Sequence, residues 1–158
     1  MTNDQLVERF YAAFQKLDYK TMQDCYSDEP IFFDTVFGIL KGEEVRAMWE
    51  MLCKNARDFH LEFSDIELLD DEYATCQWTA TYTFSKTGRR VVNKIKAHMR
   101  IKDNKILEHS DAFRLSEWAA QAFGWKGSLF GWTGFMKRAI RNNARKNLYS
   151  FMEKQPRL

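Results

Sequence analysis

The 158-residue sequence predicts an α+β domain: a curved antiparallel sheet with N-terminal helices against its apolar face, followed by a C-terminal amphipathic helix. Three observations predict it. Apolar residues recur at helical spacing as far as Leu52, then change to a period of two from Phe59 onward. The period-two stretches are separated by short turn-forming sequences, as in a meander of antiparallel strands. The composition, 45% hydrophobic and 15% aromatic with 7 Gly and 2 Pro, supplies a core without disulfides or a structural metal.

Each element follows from its local pattern. Asn3 is a candidate N-cap, and Leu6, Phe10, Ala13, Phe14 and Leu17 trace one face of a first helix. Asp18 can cap a second, short helix through Tyr26, with Tyr19, Met22 and Tyr26 three and four residues apart. Pro30 then stops it, because the residue before a proline is pushed out of helical geometry. Residues 31–37 read as a strand. Gly42-Glu43-Glu44 opens a third helix with the stripe Val45, Met48, Trp49 and Leu52, its acids at the positive end of the helix dipole. Strands are predicted over 59–69, 73–84, 91–101 and 106–113, and helices covering the sheet from one side make this α+β rather than doubly wound. Ser116 is a candidate N-cap for a helix over 117–123. An aromatic, glycine-rich bend over 124–134 leads into a final helix over 135–152, with Met136, Ile140, Ala144, Leu148 and Phe151 on one stripe.

Charge and cysteine usage narrow the setting. No Asp or Glu lies between Trp118 and Met152, a stretch that carries six Lys and Arg; subtracting six from the net +2 leaves the rest of the chain at about −4. Cys25, Cys53 and Cys76 lack metal-ligand spacing and sit among apolar neighbours, as buried thiols in a reducing cytoplasm do. The N-terminal residues do not read as a secretory leader, and no apolar run is long enough to cross a membrane. Phosphate-binding glycine loops, Cys/His metal clusters and nucleophile elbows are missing, so neither a metal nor an organic cofactor is implied.

Three polar residues stand on otherwise apolar strand faces. Asp34 shares its face with Phe32 and Val36, and His109 and Asp111 share theirs with Phe113. An unpartnered buried carboxylate is costly, so such residues are paired or functional. A His between carboxylates on an inner wall would be held in one tautomer and kept basic, which suits general acid–base chemistry. The competing reading is structural: His109 and Asp111 satisfy each other, and Asp34 caps a turn.

The element order, with the motifs Tyr-Ser-Asp-Glu-Pro-Ile-Phe-Phe-Asp (26–34) and Lys-Ile-Leu-Glu-His-Ser-Asp (105–111), resembles the nuclear transport factor 2-like superfamily in its SnoaL-like branch, over about residues 3–115. The first motif is similar to the segment leading into the catalytic Asp of ketosteroid isomerase, which falls on Asp34. The second is similar to the Glu-His-Trp-Asp segment of SnoaL-like polyketide cyclases, which puts the base at Asp111 and Ser110 in place of the Trp. The resemblance implies a conical barrel with a deep apolar pocket, a homodimer, and a hydrophobic small molecule as ligand. It implies an isomerase, cyclase or hydrolase type of enzyme, with Asp34 or Asp111 as base and His109 as polar partner. A non-catalytic binding or protein-interaction module of the same fold is the alternative. The enolate donors of ketosteroid isomerase, a Tyr and a protonated acid, fall on Phe10 and Ala97, so steroid isomerisation is not expected. Phe10, Phe14, Trp49, Trp78, Tyr82, Ala97 and Phe113 are the candidate pocket walls, with ordinary core packing as the competing explanation.

The expected division is a SnoaL-like barrel domain over 1–115 and a helical extension over 116–158 that packs on the domain or on a dimer mate. Most amphipathic helices bury their stripe in protein, so docking is favoured for 135–152. Membrane-surface contact is second, encouraged by Trp125, Phe130 and Trp132 beside the cations. Nucleic acid is not expected as a partner, because no reading motif accompanies the basic residues.

Overall fold

The helical period near the N-terminus gives α1 (Asn3–Gln15), α2 (Tyr19–Asp24) and α3 (Glu43–Asn55) in a computed structural model, which describes residues 1–124 and 134–154. The period-two segments give β3 (His60–Leu68), β4 (Tyr73–Phe84), β5 (Arg89–Lys102) and β6 (Lys105–Ala112). Before them come β1 (Tyr26–Asp34) and β2 (Gly38–Lys41), and after them α4 (Leu115–Phe123) and α5 (Gly134–Glu153). The glycine-rich bend falls, at 125–133, outside the described residues.

Six strands form one curved, unclosed sheet in the order β2-β1-β6-β5-β4-β3. Every neighbouring pair is antiparallel except β1 and β6, which run parallel. The short strand β2 has no counterpart in the sequence reading, which ended the strand at Phe37. Four residues with only two buried, Gly38 and Leu40, are too few to show a period. The predicted second helix also stops early. Cys25 caps it, and Tyr26 is already the first residue of β1, because pairing with Ile106 of β6 draws this segment into the sheet. At the chain start, Thr2 rather than Asn3 is the cap, its N–H donating to Gln5 Oε1 at 3.0 Å. Arg114 rather than Ser116 precedes α4.

A register shift in β6 decides which side chains face inward. Ile101 pairs with Ile106 and Arg100 with Glu108, so one residue, Leu107, is extra on the β6 side. Such a bulge reverses the alternation beyond it, and Ile106, His109 and Asp111 therefore all point to the interior. Facing them, α1 buries Leu6, Val7, Phe10, Tyr11, Ala13 and Phe14, and α3 buries Val45, Met48, Trp49, Met51 and Cys53. A second apolar cluster joins Val91 of β5 to Leu115, Trp118, Ala119 and Ala122 of α4 and to Ile140 of α5.

α5 is welded to the body at both ends of its stripe. Leu148 is completely buried in the main core and Ile140 in the second cluster, each burial contributing roughly 1.5–3 kcal/mol. Arg145 donates to the carbonyls of Phe37 at 2.8 Å and Ile39 at 3.0 Å. β2 is an edge strand whose outward carbonyls would otherwise be open to another chain, and the guanidinium covers them. Among the described residues no helix is long and apolar enough to cross a membrane.

Candidate active site

His109 lies between β1 and β5, paired with Phe32 on one side and Met99 on the other. Its ring is enclosed by Phe10, Phe32 and Trp49, whose centroids lie 5.6, 5.2 and 6.0 Å away, and only 2% of the residue is exposed. Both ring nitrogens are engaged. Nδ1 is 2.7 Å from the Tyr26 hydroxyl, and Nε2 is 2.9 Å from Oδ1 of Asp111.

The neighbours fix the proton positions. Trp49 Nε1 and Trp78 Nε1 can only donate, and they reach Tyr26 Oη at 2.9 Å and Asp111 Oδ1 at 3.4 Å. The assignment that gives every hydrogen an acceptor has Tyr26 O–H donating to Nδ1 and Nε2–H donating to Asp111. The result is a relay, Trp49 to Tyr26 to His109 to Asp111, with Trp78 closing its far end. Burial raises the Tyr26 phenol well above its ordinary range, and the Asp111 charge adds to that, so Tyr26 stays a neutral donor. His109 has no nitrogen free for a substrate. Among the described residues no hydrogen bond uses Asp111 Oδ2, which is the available proton acceptor.

Asp34 ends β1, where the chain turns into β2. Its Oδ1 accepts the Phe37 N–H at 2.6 Å, an Asx-type closure of the turn. Burial pushes its carboxyl up to about 7, the turn N–H groups oppose that, and the Asp111 charge reinforces it. The carboxyl is therefore half protonated near neutrality. Asp34, His109 and Asp111 are all buried on the inner side of the sheet, and the Asp111 charge acts on Asp34.

The other sequence-predicted residues divide. Phe10, Phe14, Trp49 and Trp78 form a continuous ring cluster around the relay, and Ala97 pairs with Asp111 across β5 and β6. Tyr82 accepts from Trp118 Nε1 of α4, at 2.8 Å, and packs against both apolar clusters. Phe113 bridges the two apolar clusters and lines an open hollow of about 500 Å³ with Gln77, Lys94, Lys96, Arg114 and Glu117. That hollow contains none of the three inner polar residues.

Three polar side chains near the site escaped sequence reasoning. Tyr26 has helical spacing from Tyr19 and Met22, whereas in the fold its hydroxyl meets His109 on the neighbouring strand. Tyr11 is fully buried with no partner for its hydroxyl, and burial followed by the Asp111 charge holds it protonated. Arg141 of α5 lies over Gly38 and donates to the Thr35 carbonyl at 3.3 Å, and its charge acts on Asp34. No local pattern ties a residue so far along the chain to the β1–β2 turn.

A curved, unclosed sheet packed on helices is the arrangement of the nuclear transport factor 2-like fold. The chain belongs to the SnoaL-like domain family, whose model matches residues 7–109. Among solved structures it is similar to a protein of ketosteroid isomerase-like fold from Catenulispora acidiphila, determined in complex with trimethylamine. The identity is 14%, 78% of this chain and 95% of that one are covered, and the TM-score is 0.67. A candidate polyketide cyclase from Pseudomonas putida is 22% identical, with 77% and 98% covered and a TM-score of 0.65. An epoxide hydrolase of the LEH-like type from M. tuberculosis is 19% identical, with 82% and 92% covered and a TM-score of 0.63. No curated protein matches the sequence.

Proposed function

We propose that this protein is an acid–base enzyme of the SnoaL-like family that moves a proton on a small, largely apolar molecule, with Asp111 as base and Asp34 as acid. The observation that carries the reading is the saturation of His109. With both nitrogens committed, His109 orients Asp111, and Oδ2 of that carboxylate is left to take a proton from a carbon next to a carbonyl. The C–H electron pair then moves into the carbon skeleton, and the carbonyl oxygen takes the proton of Asp34, whose carboxyl is half protonated near neutrality. Return of both protons completes an isomerisation, and capture of the enol by an internal electrophile completes a cyclisation. Tyr11, with an unpartnered hydroxyl beside Asp111, is a further donor for the developing oxyanion. Homodimer formation and a cytoplasmic setting belong to this reading as well.

A substrate-independent test is hydrogen–deuterium exchange at the α-carbons of a simple cyclic ketone, cyclohexanone, in D₂O, followed by NMR. Wild type should accelerate exchange above buffer, and Asp111→Asn should return it to the buffer rate with melting unchanged. Equal exchange by the two proteins would remove Asp111 as base. A second reading, a non-catalytic binding module, draws on the same relay, because a fully satisfied Tyr–His–Asp chain is also a sound structural element. It predicts no exchange by wild type and early melting of Asp111→Asn.

A further inference from the structure

Two of the six cations in the acid-free C-terminal segment are turned inward onto the β1–β2 hairpin, and they are used differently. Both terminal nitrogens of Arg145 are engaged: Nη1 serves two carbonyls, and Nη2 is 2.6 Å from the Tyr149 hydroxyl. Arg141 donates from Nη2 to the Thr35 carbonyl, while its buried Nε–H has no partner. Among the described residues no carboxylate forms an ion pair with it, although Asp34 is close enough to feel its charge. The Thr35 hydroxyl, on the same turn, is also buried without a partner. Apart from Tyr11, these are the orphaned buried side-chain atoms among the described residues, and they flank one corner of the site.

The chain is built to admit the guanidinium there. Gly38 has φ of +74°, and a Cβ on it would meet Cδ and Nε of Arg141 at 3.3 Å. Glycine thus supplies both the turn and the slot in which the planar group lies. Leaving a cationic N–H buried and unmade costs more than exposing it, so an arrangement that keeps one is explained by a partner that arrives with the ligand.

We propose that Arg141 is a specificity-determining residue: with the Thr35 hydroxyl it holds a carboxylate group of the ligand at the corner of the site beside Asp34. A carboxylate fits because the corner offers one uncommitted cation, and it is planar like the guanidinium. A phosphate dianion would need a second cation, and Arg145 is already spent on carbonyls. The inference rests on the acid–base reading for the identity of the site and adds the class of substrate, a small apolar molecule carrying a carboxylate.

The experiment is titration calorimetry of the full chain with benzoate, benzamide and phenyl phosphate as probes. One charge-assisted contact predicts that wild type prefers benzoate over benzamide by roughly ten- to a hundredfold. Arg141→Gln should erase that preference while keeping benzamide affinity, and Lys146→Gln, which changes net charge equally at an exposed position, should preserve it. Thr35→Val, nearly isosteric, should weaken benzoate several-fold and leave benzamide unchanged, which decides the matter if Arg141→Gln does not fold. No preference in wild type, a preference retained by Arg141→Gln or left undiminished by Thr35→Val, equal loss in Lys146→Gln, or tighter binding of phenyl phosphate than benzoate would overturn the proposal. Binding is read without turnover, so a benzoate preference that survives in Asp111→Asn, alongside failed exchange in wild type, would sink the catalytic reading and leave the carboxylate site standing.

Discussion

Replacing Asp34 by Asn should stabilise the protein, and by an amount that depends on pH in one direction only. The folded chain holds the Asp34 proton up to about pH 7, whereas the free group releases it near 3.8. Between those values the native state binds more protons than the unfolded state, so stability falls as pH rises through the window and levels off above it. A difference of about three pH units at 1.36 kcal/mol each amounts to about 4 kcal/mol. The charges acting on the group are Asp111, which raises its affinity for the proton, and Arg141, which lowers it, while the N–H groups of Phe37 and Val36 favour the ionised form. Burial outweighs them. Asn has no charge to bury and keeps an oxygen for the Phe37 N–H, so the variant escapes the loss.

Urea unfolding of wild type and Asp34→Asn, followed by tryptophan fluorescence from pH 4 to 8, measures the effect. The two proteins should be close to equal at pH 4, and the variant should lead by about 4 kcal/mol at pH 8, a large share of the 5–15 kcal/mol that holds a typical domain. A gap that stays constant across this range would refute the argument, because it would mean the carboxyl titrates alike in the folded and unfolded chains. A variant more stable than wild type yet slower in exchange would show stability given up for a proton donor.

Two further perturbations probe the frame around the site. Tyr26→Phe strips an acceptor from Trp49 Nε1 and a donor from His109 Nδ1, and should cost about 2 kcal/mol in urea unfolding, from buried groups left unpaired. A loss under about 0.5 kcal/mol would show that the relay is not a continuous chain. Leu148→Ala should cost about 2–5 kcal/mol, because its side chain is completely buried in the main core, and a loss below about 1 kcal/mol would mean that α5 is only loosely held.

The fold was legible in the sequence where one physical signal dominates. Period-two patterning located β3 to β6 to within two residues at each end, because one face of each strand is buried and the other wet. Helical spacing located α1 and α3 for the same reason. The failures lie where tertiary pairing overrides local preference. Tyr26 has helical spacing from Tyr19 and Met22, yet β6 offers it backbone partners and His109 offers its hydroxyl an acceptor, and the strand wins. β2 exists because the edge of β1 needs covering and a glycine allows the turn, neither of which is visible in a four-residue window.

The site divides along the same line. Inward polar residues on apolar strand faces can be read by counting, and Asp34, His109 and Asp111 were found that way. A residue that reaches the site from a distant helix cannot, since its pattern reports only the face of its own helix. Arg141 and Arg145 belong by sequence to a cationic surface, yet both lie against the β1–β2 turn, over 100 residues away in the chain. These two guanidinium groups are thereby held against the carbonyls of Thr35, Phe37 and Ile39. The helix stripe is likewise engaged at Ile140 and Leu148. Ile140, Leu148, Arg141 and Arg145 are thus all used within the chain, and the buried Nε–H of Arg141, which has no partner, lies at the turn that follows Asp34.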